Sequence, residues 1–474
     1  MIIIGRKNEQ EILTRCLVST KPEFVAVYGR RRVGKTYLIR EFFHNKFSFY
    51  ASGVNNKTNS IQLQNFKNSL EEFGNEKQTI IKDWFDAFQR LKHLLEKKDV
   101  YREQNYGKRV VFLDEIPWMD AKRSNFKAAL DLFWNTYGSI QEDLVLIVCG
   151  SATSWIMKNM VKDSGGFYNR LTNQIHLLPF NLHECLLYSN FLNLRYEKKQ
   201  VLDCYMVFGG VPYYWSLLNS ERSLAQNTDD LIFKENGQLH DEYQTLFRSL
   251  FTLKGKHREI VEALMKRGSG LRRHDLSSLP HIGDGQPLTT ALEELCECGL
   301  VRSYQSYETS KYGKYYQIID PFILFVKRFL LSPNFDTWVS FVGTPSYFNW
   351  AGHAFEIACL NHISSIKKAL GISGVLTKEY SWRSKVQEQG AQIDLLIERR
   401  DQVINVCEMK YSIGEYVISK GYEMNLRNKL QAFQEETRTK KQLILTMISY
   451  NGLKRNEHSD IVSVVLNGDT LFEE

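Results

Sequence analysis

Apolar positions near the N-terminus come in short unbroken runs. Phe24–Tyr28, Arg109–Leu113 and Leu144–Cys149 read as strands buried on both faces rather than on one. Helical stretches separate them. The first begins over Thr36–Phe43, and the charged segment Trp84–Asp99 has the period of a surface helix. Buried runs alternating with helices predict an α/β domain, a parallel sheet with helices on both faces in a three-layer αβα arrangement. Residues 155–250 are rich in Leu, Phe and Tyr and mostly helical in pattern, broken by the turn Gly209-Gly210-Val211-Pro212. They predict a helical lid on that sheet, giving a first domain over 1–250.

The pattern changes after residue 250. His257–Arg267 is an amphipathic helix, Arg273–Leu279 a second, and Pro287–Cys298 a third, closed by Gly299. Leu300–Tyr307 and Lys314–Ile319 read as two strands around a turn. Three helices followed by a hairpin is the order of a winged helix, expected over 251–330. Residues 321–345 read as an apolar helix and a loop. Beyond them come a helix (Gly352–Leu370), a hairpin (Ile393–Ile397 and Val403–Met409), a helix (Gly421–Arg438) and two strands (Gln442–Thr446 and Ile461–Leu466). These predict a small α/β domain over 331–474.

Composition narrows the class. Of 474 residues, 43% are hydrophobic and 24% charged, which excludes a disordered chain. No apolar run approaches the ~18 residues of a membrane span, and Pro321–Leu331 is interrupted by Lys327 and Arg328. Gly5-Arg6-Lys7 follows Met1–Ile4 too closely for a signal-peptide core. The eight cysteines are scattered without a Cys-x-x-Cys pair, so they read as reduced thiols of a cytoplasmic protein. The 11 histidines make no metal-ligand spacing with cysteine, and Gly-x-Ser-x-Gly is absent.

The chemistry concentrates in two places. Gly29-Arg30-Arg31-Arg32-Val33-Gly34-Lys35-Thr36 follows the first strand and opens the first helix. It fits Gly-x-x-x-x-Gly-Lys-Ser/Thr, for which a chain of this length offers on the order of 0.02 chance matches. Glycines let the backbone wrap a polyphosphate, and the helix adds its positive end. Lys35 would reach the β- and γ-phosphates, and Thr36 would set its hydroxyl on Mg²⁺. Asp114 ends the second buried strand and can hold Mg²⁺ through water, while Glu115 can polarise an attacking water. Ser151 follows the third strand and could sense the γ-phosphate; a plain turn is the other reading. Arg170 could supply charge to a neighbouring copy's γ-phosphate, or be a surface arginine.

The second place is Glu408-Met409-Lys410, which ends an apolar strand. Residues two apart on a strand share a face, so Glu408 and Lys410 point the same way. A hairpin could bring Asp394 beside Glu408; two carboxylates and a carbonyl can hold Mg²⁺, and Lys410 could orient the bound water. The triplet alone is common, since Glu96-Lys97-Lys98 fits too. Its weight comes from charges that end an apolar strand.

Two resemblances follow. Ile4-Gly5-Arg6 with Glu9, the arginine-rich phosphate loop, Asp114-Glu115 and Phe208-Gly209-Gly210-Val211-Pro212-Tyr213-Tyr214 resemble the archaeal-type AAA+ ATPases, a group close to the STAND-like signalling ATPases. That resemblance implies a P-loop NTPase sheet with a helical lid, ATP binding and hydrolysis, and Gly5 and Arg6 near the adenine or its lid. Asp394, Glu408 and Lys410, with Glu356 in Gly352-His353-Ala354-Phe355-Glu356, are similar to the PD-(D/E)xK nuclease superfamily. The likeness implies Glu356 as the first-helix acid, Asp394 and Glu408 as metal ligands, and Lys410 as the catalytic lysine. Ile393 stands where the name of that superfamily has proline.

The expected function is an ATP-hydrolysing enzyme coupled to Mg²⁺-dependent cleavage of DNA, with ATP and DNA as partners, no membrane, and the capacity to form homo-oligomers. The alternatives are an ATP-switched signalling or scaffold protein with an inactive nuclease fold, and a nucleic-acid motor without cleavage. In the winged-helix region Arg272, Arg273, His274, Lys311 and Lys314 are the candidate nucleic-acid contacts, but the third helix carries Glu293 and Glu294 and no cation, which suits internal packing equally. Of the formal +7, residues 1–253 carry +5, 254–334 +3 and 335–474 −1. The basic excess therefore lies outside the nuclease-like segment.

Overall fold

The computed structural model describes residues 2–151, 153–161, 169–250, 256–268, 270–307, 313–331, 337–384 and 391–473. Its contacts divide the chain into two compact units, Met1–Leu178 with Arg248–Thr252, and Pro179–Phe247 with Leu253–Glu474. Of the stretch expected as a lid, residues 179–247 fall in the second.

In the first unit five strands, β1 (Glu23–Tyr28), β2 (Phe49–Ser52), β3 (Arg109–Asp114), β4 (Leu144–Gly150) and β5 (Asn173–His176), form one parallel sheet in the order β2-β3-β4-β1-β5. The three apolar runs are its central strands, buried throughout. Their alternate residues feed two cores. Phe24, Ala26, Val111, Leu113, Leu146 and Val148 pack with the helices Asn59–Gly74, Trp84–Leu95 and Phe126–Thr136. Val25, Val27, Val110, Phe112, Val145 and Ile147 pack with Lys7–Val18 and Lys35–Phe42. The helix Trp84–Leu95 is amphipathic. Its charged residues face outward, but Trp84, Phe88, Leu91 and Leu95 are buried in the first of these cores.

In the second unit one mixed sheet runs through the whole C-terminal half. Its strands are β6 (Leu271–Arg272), β7 (Val301–Ser306), β8 (Tyr315–Ile318), β9 (Thr377–Arg383), β10 (Gln392–Arg399), β11 (Val403–Lys410), β12 (Gln442–Ser449) and β13 (Val464–Asn467). The order is β13-β12-β11-β10-β9-β7-β8-β6. The segments read as separate at residue 330 thus share a sheet, joined where β7 pairs with β9 at Gln305–Tyr380 and Ser306–Ser381. Helices His257–Met265, Arg273–Ser277 and Gln286–Glu297 precede the β7–β8 hairpin, and the third is held internally by Glu294, 2.6 Å from His257 Nε2. The expected helix Gly352–Leu370 is two, Pro345–Asn361 and Ile363–Ala369, broken at His362. Gly210 lies against the Phe180 carbonyl so closely that a Cβ would overlap it, which accounts for the glycine in the Gly-Gly-Val-Pro turn.

His362 is buried between those helices. Nε2 accepts the Leu182 backbone N–H at 2.8 Å, and Nδ1 donates to the Ala358 carbonyl at 2.7 Å. Burial pulls its pKa down to about 4, against a smaller upward pull from the Ala358 bond. The unfolded chain, titrating near 6.5, binds the proton first, so stability falls as pH drops from about 6.5 towards 4. His362→Gln retains an acceptor for Leu182 and should flatten the melting temperature over that pH window; an unchanged slope would assign it to other groups.

Candidate functional site

Strand order builds the first site. β4 lies between β1, which leads into the phosphate loop, and β3, which ends in the acidic pair. The C-terminal ends of all three therefore meet at one edge, where ligands of open α/β sheets bind. Gly29 leaves β1 at φ 150°, and a Cβ there would overlap the Leu177 carbonyl oxygen. Only glycine fits this turn. Lys35 opens its helix with Nζ bonded to the carbonyls of Gly29 and Arg30, both at 2.9 Å, so the loop is closed on its own lysine. Val33 is buried, as is Arg30, while Arg31 is exposed and Arg32 has φ 72°. Arg6, buried at φ 57°, donates from Nη2 to the Val33 carbonyl at 3.3 Å; Gly5 accepts from Gln10. The Gly5-Arg6 segment thus abuts the phosphate loop.

Thr36 Oγ1 donates to Asp114 Oδ2 at 2.9 Å. Asp114 is 3% exposed and has no ion-pair partner among the described residues. A buried carboxylate without a cation, joined to a hydroxyl, is a hard-oxygen pair suited to Mg²⁺. Glu115 sits at φ 48°, and its Oε2 accepts both the Ser151 backbone N–H at 3.1 Å and the Ser151 hydroxyl at 2.9 Å. These residues are 36 apart in sequence and meet because β3 and β4 are neighbours. Sequence reasoning had both residues but not their pairing. Arg170 lies in the turn before β5, half-buried.

A family of ATPase domains predominantly from Archaea matches residues 4–218. The uncharacterized ATP-binding protein MJ0423 of Methanocaldococcus jannaschii is 46% identical over 46 residues, 10% of this chain and 78% of that protein. The chain carries an ATPase domain of this archaeal family. A longer uncharacterized protein of the same organism, MJECL04, is 24% identical over 342 residues, 70% of each chain. Among solved structures, the Walker-type ATPase PABY2304 of Pyrococcus abyssi is similar at TM-score 0.49 and 17% identity, over 69% of this chain and 96% of that one. The Aeropyrum pernix ORC2 protein, in ADPNP and ADP complexes, is similar at TM-score 0.44 and 14% identity, over 69% and 94%. The ATPase domain spans the phosphate loop, the Asp114-Glu115 pair and Ser151. Among the described residues no helix is long and apolar enough to cross a membrane, and all eight cysteines are free.

The second cluster lies outside the ATPase domain. Glu408, nearly buried on β11, has Lys410 Nζ at 3.0 Å and Lys429 Nζ at 2.8 Å, and accepts from the Tyr422 hydroxyl at 2.6 Å. Burial would raise its pKa, but Lys429 and Lys410 outweigh that and hold the carboxyl below the usual range. Burial likewise opposes the Lys410 charge, and Glu408, with Tyr416 and Glu356, holds it above the usual lysine range. Glu356 has His353 Nδ1 at 3.3 Å. Glu356, Glu408 and Lys410 thus share one neighbourhood. Among the described residues Asp394 forms no hydrogen bond or ion pair with them: it accepts from Gln392 at 2.6 Å and lines a cleft with Arg302 and Tyr304. Lys410 pairs with Glu408 rather than with Asp394. Among the described residues no group of three or more His, Cys, Asp or Glu side chains could hold a metal ion. With both Glu408 oxygens engaged by cations and phenol, the four side chains as arranged do not fit a divalent metal. Lys311 lies outside the described residues. Arg273 is spent on Thr289 and Asp284, within its own three-helix segment.

Proposed function

We propose that the chain hydrolyses ATP at the loop Gly29–Thr36 and uses the nucleotide state to control a nucleic-acid-binding second unit. The observation that carries the hydrolytic reading is the alignment of Thr36 on Asp114 with Glu115 next in sequence. Loop amides and Lys35 bind the phosphates, and Lys35 exchanges its two carbonyl partners for phosphate oxygens as ATP enters. Thr36 and Asp114 would hold Mg²⁺, which when bound supplies charge neutralisation at the phosphate oxygens. Glu115 orients and polarises the attacking water after release from Ser151, and Ser151 then becomes free to meet the γ-phosphate. Arg170 is the candidate cation towards a second copy.

The second unit supports two finer assignments. Three helices, a short strand and a hairpin in the order His257–Ile318 suit a winged helix, and a helix, three antiparallel strands, a helix and a parallel strand suit a PD-(D/E)xK fold. The ion-paired Glu408 favours a second reading of that domain, a non-cutting binding module under an ATP switch. Plasmid incubated with the pure full-length protein, Mg²⁺ and ATP separates the two. Cuts that disappear in Asp394→Ala and Lys410→Ala support the nuclease; intact plasmid, or cuts that persist in both variants, supports the switch.

A further inference from the structure

Five neighbouring strands of the second unit present one polar, arginine-rich face. In β6, β8, β7, β9 and β10 the pairs Arg272–Tyr315, Tyr304–Tyr315, Arg302–Gln317, Ser306–Ser381 and Arg383–Gln392 lie directly opposite. Partners directly opposite share a face, and all of these side chains line one cleft of 140 Å³. The cleft also takes in Arg267, so four arginines face two carboxylates, Asp275 and Asp394. Both acids are already engaged. Asp275 accepts the Arg272 backbone N–H at 3.0 Å, and Asp394 accepts from Gln392.

Three of the four arginines have side-chain partners that fix them. Arg302 lies over the Tyr304 ring at 4.5 Å, with Nε on Gln317 at 2.8 Å; Arg272 lies over Tyr315 at 5.1 Å, with Nε on its hydroxyl at 2.6 Å. The two tyrosines stack on each other at 5.5 Å. Arg383 Nη2 donates to Gln392 at 2.6 Å. Neither Arg267, Arg302 nor Arg383 forms an ion pair among the described residues. Burial lowers the Arg302 pKa to about 10, with Tyr304 and Asp394 pulling the other way, so the guanidinium stays charged at neutral pH. The planar Arg302 guanidinium, fixed on an aromatic face and free of any ion pair among the described residues, is the kind of group that takes phosphate oxygens.

The size limits the ligand. The cleft is smaller than the ~300–1,000 Å³ of pockets that enclose a whole small molecule. A second cleft of 340 Å³ shares Arg267 and adds Lys327, Arg328 and His353 among apolar residues such as Trp350, with no carboxylate in its lining. Cations therefore continue from one cleft into the next, which fits a chain of phosphates better than a single ion.

We infer that this face binds the phosphodiester backbone of a nucleic-acid strand, with Arg302 as the central phosphate contact and Arg267 and Arg383 flanking it. Binding here requires neither ATP hydrolysis nor a metal, so it stands or falls apart from the nuclease reading.

The test is fluorescence anisotropy of a short labelled single-stranded oligonucleotide on the full-length protein, in EDTA and without ATP. Arg302→Gln should weaken binding roughly tenfold and make the salt dependence shallower by about one phosphate contact. Arg267→Gln/Arg383→Gln, both exposed positions, should weaken it similarly without altering the melting curve. The control Lys454→Gln/Arg455→Gln, also exposed and away from the clefts, should bind as wild type. If Arg302→Gln melts early, the exposed pair decides alone. Wild-type binding by the exposed pair, or an equal loss in the control, overturns the proposal. If no oligonucleotide binds but inorganic phosphate raises the melting temperature of wild type and not of Arg302→Gln, the ligand is a free phosphate and the strand assignment is overturned.

Discussion

Lys35→Ala protein is expected to lose ATP hydrolysis by a factor of roughly 10²–10³ or more, the usual effect of deleting a positioned donor to transferring phosphate or oxyanion charge. Glu115→Gln should separate the steps. The amide keeps the shape of the carboxylate and the bond from the Ser151 N–H at its oxygen, so nucleotide binding should stay near wild type. It cannot polarise water, so turnover should fall by roughly 10²–10⁴. Lys35→Ala also removes a phosphate contact and should bind nucleotide more weakly, so the two variants differ in binding and agree in losing hydrolysis. Phosphate release and equilibrium binding of a fluorescent ATP analogue measure the two quantities. Equal turnover in Glu115→Gln and wild type would move the general base elsewhere. Loss of nucleotide binding in Glu115→Gln would make the Glu115–Ser151 pair part of the loop's architecture rather than a catalytic gate.

Glu408→Ala is expected to destabilise the second unit by about 3–5 kcal/mol, because it leaves two partly buried lysine ammonium groups facing each other without a counter-charge. For a unit of this size that corresponds to a melting shift on the order of 10 °C. The same cluster predicts a pH effect. Its folded carboxyl titrates below the usual carboxylate value. The associated stability is present above the unfolded pKa, and is lost as pH falls through the folded one. Acid melting of wild type should therefore be steeper below about pH 4.5 than that of Glu408→Ala. A variant as stable as wild type would mean that desolvation of the three charges cancels their attraction. Mg²⁺ added to wild type should not raise the melting temperature if the lysines keep both carboxylate oxygens. A rise that Glu408→Ala lacks would show that metal can displace them, and would favour the nuclease reading over the ATP switch.

Sequence pattern made some elements legible and hid others for identifiable reasons. β1, β3 and β4 stood out because central parallel strands are apolar on both faces. The missed strands lack that mark. β2 and β5 are four-residue edge strands with polar positions, and β9 reads Thr-Lys-Glu-Tyr-Ser-Trp-Arg, with only Trp382 fully buried. β6 is two residues long. The helix Trp84–Leu95 shows its charges outward, and its stripe of Trp84, Phe88, Leu91 and Leu95 packs into the core.

The sequence by itself determined the phosphate loop and the acidic pair, since both are local: a glycine turn between strand and helix, and carboxylates at a strand's end. It also determined that Glu408 and Lys410 share a face, since strand geometry alternates with period two. Only the tertiary structure decided the partners. Ser151 reaches Glu115 through the adjacency of β3 and β4, and Lys429 and Tyr422 reach Glu408 from the helix Lys420–Thr437. It also decided the surroundings of Asp394. A register irregularity between Ile393 and Leu396 lets both of those side chains enter the core with Leu426 and Phe433, and Asp394 is left with Gln392 on the arginine-rich face. One extra residue in a strand reverses which side its neighbours present, and no spacing rule applied to the chain alone registers that shift.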